Sequence, residues 1–534
     1  MFKEEFMKKR TIKLLSLTLV VLMTFFAVGC DMEAIFAPLS EIQTNVPDGT
    51  GDLIDDTELV SVVATEKETN VFTGDINIGE NETEKEIPVV DFDFEGEEIY
   101  ILAPAVQSIV QSWSPEPDDI LGEYVLMRNA AVGEKLNLSI NFEFVSFSDQ
   151  ERDKEMLRMM IMDDITQDLH YYDIVSASPD VLASATIRSC FANLNNKEEF
   201  PWFDFTLPCW NQTLVEDCTL NDRLYYISGA TEISSMLDTY VVWHNKTLYD
   251  LKKEENDFES FKELMRDGFW TYDELYEWSQ RFYEDSNGVP GQQADDSYGV
   301  AFEGNENYPC AEAFRAAWDL NIADTNPEWQ AAVYKDMNKY TERAENALVM
   351  VKKLFAAQGT TVNATAEYFM TGNNLFYIST LDAFEGVSEI NFDADLLLMP
   401  KYDAEQENYL SYTANPIVTA VLNHAESSIP TKSEAVCVAL QLLAEESFME
   451  GKFSNLDDQV PFAVSEDDIW TLGQIFQNMQ LTLGTVYASQ LEDVDSIWIT
   501  ALNEGNNVAA LYSERENIYV QALNTLNEWF GNRG

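Results

Sequence analysis

The sequence is poor in basic residues: 32 Lys and Arg stand against 94 Asp and Glu, a formal net charge of −62 over 534 residues. Binding a phosphate backbone needs a cationic footprint that releases counterions, and this chain has none to spare, so nucleic acid is excluded as a partner. Histidine is scarcer still, with only His170, His244 and His424, each isolated in sequence and read as a surface or satisfied structural imidazole. HExxH, GxSxG, a GxGxxG opening a helix and a Walker A loop are all missing, which disfavours zinc hydrolases, serine hydrolases, dinucleotide enzymes and ATPases. Glycoside hydrolysis needs only two carboxylates, and 94 acids supply so many pairs that no chosen pair is informative. Cysteine is sparse after Cys30: Cys190, Cys209, Cys218, Cys310 and Cys437, an odd number without a CxxC pair, against zinc ribbons and thioredoxin chemistry. Cys209 and Cys218 are the sequence-local candidates for a bridge, but reduced, partly buried thiols are the preferred reading. Neither a metal nor a cofactor is expected.

Apolar residues make up 46% of the chain and aromatics 12%, far too rich for an acidic disordered protein, so most of it should fold. Residues 1–13 carry Lys3, Lys8, Lys9, Arg10 and Lys13, and Leu14 to Gly29 carry no charge. That is the n-region and h-region of an export signal, too short for a bilayer span. It ends in Ala27-Val28-Gly29-Cys30, which resembles a bacterial lipobox although the motif prefers Leu where Ala27 stands. The resemblance implies cleavage after residue 29, acylation of Cys30, and a protein lipid-anchored on the extracellular face of the cell membrane.

Residues 31–98 hold twenty Asp and Glu against Lys67 and Lys85, with no sustained apolar period. Like-charge repulsion keeps such a segment extended, so residues 30–98 read as a disordered acidic linker and residues 99–534 as the folded domain.

From Glu97 the pattern changes. Ile99 to Ala103 is a short buried-strand run, Asp118 to Leu136 has helical spacing, Leu138 to Phe147 alternates, Glu151 to Leu169 is helical, and Tyr171 to Val175 is a third strand. Strand, helix, strand, helix, strand without hairpin turns describes a doubly wound parallel sheet, whose ligands sit beyond the carboxyl ends of the strands. Further strands are expected at Tyr240–Trp243, Tyr298–Phe302, Leu375–Ile378, Leu396–Met399 and Ile417–Leu422. Capping boxes at Thr271–Glu274, Thr431–Glu434 and Ser513–Glu516 predict helix starts.

Several segments resemble extracellular solute-binding proteins of bacterial ABC importers, the family that includes the maltose-binding proteins. They are Tyr172-Asp173-Ile174-Val175; Trp210-Asn211-Gln212 followed by Leu220 to Tyr226; Val241-Val242-Trp243-His244-Asn245-Lys246; Asp267 to Leu275; Met399 to Asp403; and Gln406 to Tyr409. Their order runs from about Glu97 to Phe530. His244 departs from the pattern, where Tyr or Phe is usual, and Phe448 to Asp468 is irregular.

The resemblance implies an α/β, two-lobed fold of the periplasmic-binding-protein type II kind, with a ligand cleft between lobes joined by crossing strands. It implies a monomeric, non-enzymatic receptor that closes around a small-molecule solute, a carbohydrate or oligosaccharide, and docks on ABC permease subunits. Mapped by motif, the cleft is expected to draw on Trp113, Ser178 and Asp180 from the first lobe and Glu232 near the hinge. Asn305, Tyr308, Asp382 and Phe384 are expected from the second lobe, with Tyr412 and Asn415 before the Ile417 strand. A surface-anchored carbohydrate-active or adhesive protein is the alternative. The acidity makes anionic solutes a poor expectation and neutral or cationic ones better.

Overall fold

The computed structural model describes residues 92–531 except 116–119, 147–149, 188, 255–256, 259, 287, 289–295, 304–309, 385–389, 426 and 449–465. The expected signal peptide, Cys30 and nearly all of the linker lie outside the described residues. Phe92 and Phe94 already pack against the core, Phe92 edge-on to Trp202 with ring centroids 5.0 Å apart.

Eleven strands are named here among the described residues: β1 (Glu97–Pro104), β2 (Leu138–Val145), β3 (Ile174–Ala177), β4 (Tyr240–Asn245), β5 (Tyr298–Glu303), β6 (Ala323–Asn326), β7 (Ala331–Tyr334), β8 (Thr360–Ala364), β9 (Asn374–Thr380), β10 (Ala394–Leu397) and β11 (Val418–Val421). The first sheet has the order β11-β3-β1-β2, with β1 parallel to both β2 and β3. Helices Ile120–Leu136 and Gln150–Thr166 make the crossovers. This is the expected parallel unit, and its strands carry the apolar run Ile99, Ile101 and Leu102, all buried. The edge strand β11 is antiparallel to β3 because it arrives from the second sheet rather than from a crossover helix.

The second sheet has the order β10-β4-β9-β5-β8. Here β5 is parallel to β8 and β9, whereas β4 is antiparallel to both β9 and β10. Helix Tyr272–Arg281 lies on this sheet at unusually close range. A Cβ at Gly299 or Gly359 would come within 2.1 or 2.0 Å of the Ser279 carbonyl oxygen, so two glycines make the approach possible. Trp270, Phe261 and Phe376 interleave against one face of the same sheet, and Trp243 packs on the other, edge-on to Phe384.

The departure at His244 is compensated locally. Its Nδ1 lies 2.8 Å from Oδ1 of Asp395, the residue paired with it across β4 and β10, and both are buried. Burial alone would push the Asp395 carboxyl up, but the neighbouring His244, with Lys262 further off, holds it below the usual carboxylate range. His170 and His424, isolated in sequence, come together with stacked rings 3.9 Å apart. His424 Nε2 is 3.0 Å from the Tyr172 carbonyl oxygen and His170 Nε2 is 2.5 Å from Ser427 Oγ.

The helix starts correct two of the three capping-box expectations. Thr271 is the N-cap of its helix, but its side chain makes no cap hydrogen bond and Glu274 accepts from the Trp278 indole instead, at 3.2 Å. Ser513–Glu516 falls inside helix Val508–Gly531, whose start is set by Asn507, the acceptor for the Ala510 amide at 3.0 Å. Helix Ser433–Phe448 begins two residues after Thr431. The five described cysteines are all buried, and no disulfide joins Cys209 to Cys218.

Candidate functional site

Register places the ends of the two sheets against a common set of crossing segments. In the first sheet Val418, the first residue of β11, faces Ala177, the last of β3. The chain that enters β11 therefore passes the carboxyl end of β3. In the second sheet Tyr240, the first residue of β4, faces Thr380, the last of β9, and the end of β5 lies alongside because Phe302 faces Ile378.

Three segments connect these ends. The Tyr240 amide donates to the Tyr412 carbonyl at 2.8 Å, and the Ala414 amide donates to the Asp238 carbonyl at 2.9 Å. The third runs beside them: the Ser411 amide donates to the Asn478 carbonyl at 3.0 Å and the Gln480 amide to the Ser411 carbonyl at 2.9 Å. Segments 238–240, 411–414 and 478–480 thus form a small three-stranded hinge, and the carboxyl ends of β3, β5 and β9 converge on it. Loops at such ends are where sheets of this kind hold ligands.

Two expected residues meet there. Asn415 sits beside the carboxyl of Asp238 and favours its ionised form, and Asp382 adds a like charge. Burial chiefly, and then Asp382, push the Asp238 carboxyl up to about 6 against the pull of the Asn415 amide. Asp382 is steadied by the Thr380 hydroxyl, which donates to it at 2.5 Å. Beyond it, the Ser379 hydroxyl donates to Glu303, the last residue of β5. Tyr412, also expected, is partly buried with its ring 5.8 Å from that of Tyr240. Burial, with the nearby Glu312 charge, raises its phenol to about 12. Asp238 and Glu303 escaped sequence reasoning; the only available signal was that each abuts a strand end, Asp238 before β4 and Glu303 closing β5.

Ser178 and Asp180 lie just beyond β3 as expected, but they bind each other: the Ser178 hydroxyl donates to Asp180 at 2.6 Å, and Lys154 pairs with Asp180 at 2.9 Å. Burial would raise the Asp180 carboxyl, yet these partners hold it below the usual range. Three expected residues are packed away. Trp113 is fully buried beneath the strand ends, donating its indole N–H to Ser176 Oγ at 2.9 Å. Phe384 is buried in the second-lobe core, edge-on to Trp243 at 4.8 Å. Glu232 is 3% exposed and its carboxylate is occupied by the Gly229 amide and the Thr419 hydroxyl. The two aromatic side chains have more to gain from the core than their loop positions suggested, whereas Glu232 is buried at a cost that its hydrogen bonds only partly offset. Asn305 and Tyr308 lie outside the described residues.

The site thus offers carboxylate and amide acceptors beside a tyrosine, an arrangement suited to hydroxyl-rich groups: each O–H donates to a fixed acceptor while C–H faces pack on the ring. Among the described residues no group of three or more His, Cys, Asp and Glu could hold a metal ion.

No family model and no curated protein matches the sequence. Solved structures do match the fold. The sugar-binding protein MalE from the phytopathogen Xanthomonas citri superposes with a TM-score of 0.51 at 10% identity, covering 82% of this chain and 100% of that one. An ABC substrate-binding protein from Listeria monocytogenes in complex with cycloalternan gives a TM-score of 0.44 at 13% identity, with 82% and 100% covered. A family 1 extracellular solute-binding protein from Bifidobacterium longum subsp. infantis gives 0.45 at 12%, again with 82% and 100% covered. At such identities the likeness concerns architecture alone. The chain has the two-lobed α/β fold of the solute-binding proteins that the Xanthomonas citri protein represents.

Proposed function

We propose that this protein is the solute receptor of an ABC importer and that its cargo is a carbohydrate. The observation that carries the reading is the hinge site, where Asp382, Asp238 and Asn415 meet at the carboxyl ends of strands from both sheets. A ligand bridging the two lobes favours a closed state through contacts it makes only there, which is what a capture device requires. The fold supports the reading, and the Xanthomonas citri protein that shares it is named a sugar-binding protein. Acidic acceptors and the overall charge favour neutral polyhydroxylated solutes over anionic ones. The receptor binds without turnover, acts as a monomer, is tethered through acylated Cys30 to the outer face of the cell membrane, and delivers its solute to permease subunits.

Thermal-shift screening of the purified protein against a panel of neutral mono- and oligosaccharides tests the reading. A saturable shift with at least one sugar, and no release of reducing sugar, is expected. No shift with any sugar, or hydrolysis of one, would overturn it. The anchor is tested separately: Cys30→Ala should abolish acylation and leave the precursor uncleaved or shed into the medium.

A further inference from the structure

The short helix Ile233–Leu237 is tied to both the hinge and the first sheet by a buried hydroxyl network that begins at Glu232. On one side, the Gly229 amide donates to Glu232 Oε2 at 2.8 Å and the Thr419 hydroxyl to Oε1 at 2.7 Å. Thr419 Oγ1 is 3.2 Å from Ser176 Oγ, which accepts the Trp113 indole N–H. On the other side, Ser234 Oγ lies 2.7 Å from Ser112 Oγ. The Ser235 carbonyl accepts the hydroxyls of Thr239 and Thr413 at 2.8 and 2.7 Å, and Ser235 Oγ accepts the Ile417 amide at 2.9 Å. Thr239 and Thr413 belong to the two hinge segments paired above. One helix turn therefore joins the floor of the first lobe to both crossing segments, and Glu232, the residue before it, ties the chain at its amino end to Thr419 and the Gly229 amide.

An ionised Glu232 can only accept, so Thr419 must point its proton at the carboxylate and Ser176 must supply the next one. A protonated Glu232 can donate to Thr419, whose own proton then turns to Ser176. A single proton thus sets the direction of the Glu232–Thr419–Ser176 chain.

We propose that Glu232 is a proton-operated hinge latch: protonated, it seats the Ile233–Leu237 helix and the hinge segments firmly, and ionised, it loosens them, so that lobe opening depends on pH. The proposal rests on the two-lobed receptor reading, and its test is chosen to need no solute. The charged group that faces Glu232 among the described residues is Arg128, from helix Ile120–Leu136, itself buried and donating to the Ser112 carbonyl at 2.9 Å. The elements that touch Glu232 otherwise bring hydroxyls and an amide. Burial pushes the Glu232 carboxyl up to about 7, despite the Thr419 and Gly229 hydrogen bonds and the Arg128 charge. Local opening that hydrates the carboxylate relieves that cost, so raising the pH favours opening.

Hydrogen–deuterium exchange on the full chain, corrected for the intrinsic pH dependence of exchange, tests this. Protection of peptides covering Gly229, Tyr240, Ala414 and Ile417 should fall ~10-fold from pH 5.5 to 8.5, one decade being one pKa unit of differential stabilisation. Glu232→Gln should flatten that dependence while peptides over β8 and β10 stay as in the native protein. Should Glu232→Gln not fold, Thr419→Val removes a donor that favours the carboxylate and should move the midpoint to higher pH. Native hinge protection that is flat with pH, a dependence that persists in Glu232→Gln, or a midpoint unmoved in Thr419→Val would overturn the proposal. Absence of any sugar ligand would defeat the receptor reading and leave this result standing.

Discussion

The Ala414 amide donates to the Asp238 carbonyl at 2.9 Å, which sets the Asn415 side chain beside the Asp238 carboxyl, in reach of the Asp382 charge. If these residues grip the solute, Asp382→Ala and Asn415→Ala should each weaken binding by about 1.5–3 kcal/mol, a loss of roughly ten- to a hundred-fold, with little change in melting temperature. Asp382→Asn should also lower the Asp238 carboxyl, because a like charge is removed, and shift any pH dependence of binding to lower pH. Isothermal calorimetry across pH reads both effects; unchanged affinity in both alanine variants would remove them from the site.

Phe384 should behave oppositely. It is buried against Trp243, Phe369 and Tyr377, so Phe384→Ala should cost about 3–5 kcal/mol of stability. Denaturant titration measures the cost, and a loss of affinity without loss of stability would return Phe384 to the cleft.

His244 and Asp395 form a buried pair with no aqueous alternative. His244→Phe restores the residue type usual at this position but strands a buried carboxylate, and should destabilise by about 3–5 kcal/mol. Adding Asp395→Leu should recover most of that. Thermal unfolding of the single and double variants decides it, and a single variant as stable as the native protein would show the pair to be dispensable.

Much of this architecture could be read from the chain because the first sheet announces itself through period and order. β1, β2 and β3 alternate with helices, β4, β5 and β9 each contain an expected apolar run, and β10 and β11 each overlap part of theirs. The hinge site was half legible. Asp382 and Asn415 follow or precede strands and were placed by motif order, whereas Asp238 becomes visible only when β4 and the Tyr412 segment are paired in space. Trp113, Glu232 and Phe384 flank strand ends just as Asp382 does, and sequence spacing cannot distinguish a side chain turned into the core from one turned into the cleft. His170 and His424 make the same point: 254 positions apart, they stack because two loops fold over one end of β3.

Stability should fall as pH rises through neutrality. The folded Glu232 carboxyl titrates at about 7, above its ordinary value, so the folded state holds the proton more tightly than the unfolded one. That contribution is complete below about 4.5, the ordinary value, and is lost as pH passes about 7. Asp238 and Asp164, both pushed up to about 6 chiefly by burial, act in the same direction at lower pH. Glu232 alone should account for about 2–3 kcal/mol between pH 4.5 and pH 8, and Glu232→Gln should remove it. Chemical denaturation at both pH values is the check, with an unchanged pH slope in the variant as the contrary result.

The proposal that the two lobes capture a carbohydrate at the hinge yields a binding curve that can be read directly. Its most direct test is calorimetric titration of the purified protein with linear and cyclic neutral oligosaccharides, alongside Asp382→Ala. Saturable one-to-one binding of at least one sugar, a marked loss in the variant, and no turnover are expected. No heat with any sugar, or equal binding by the Asp382→Ala variant, would contradict it.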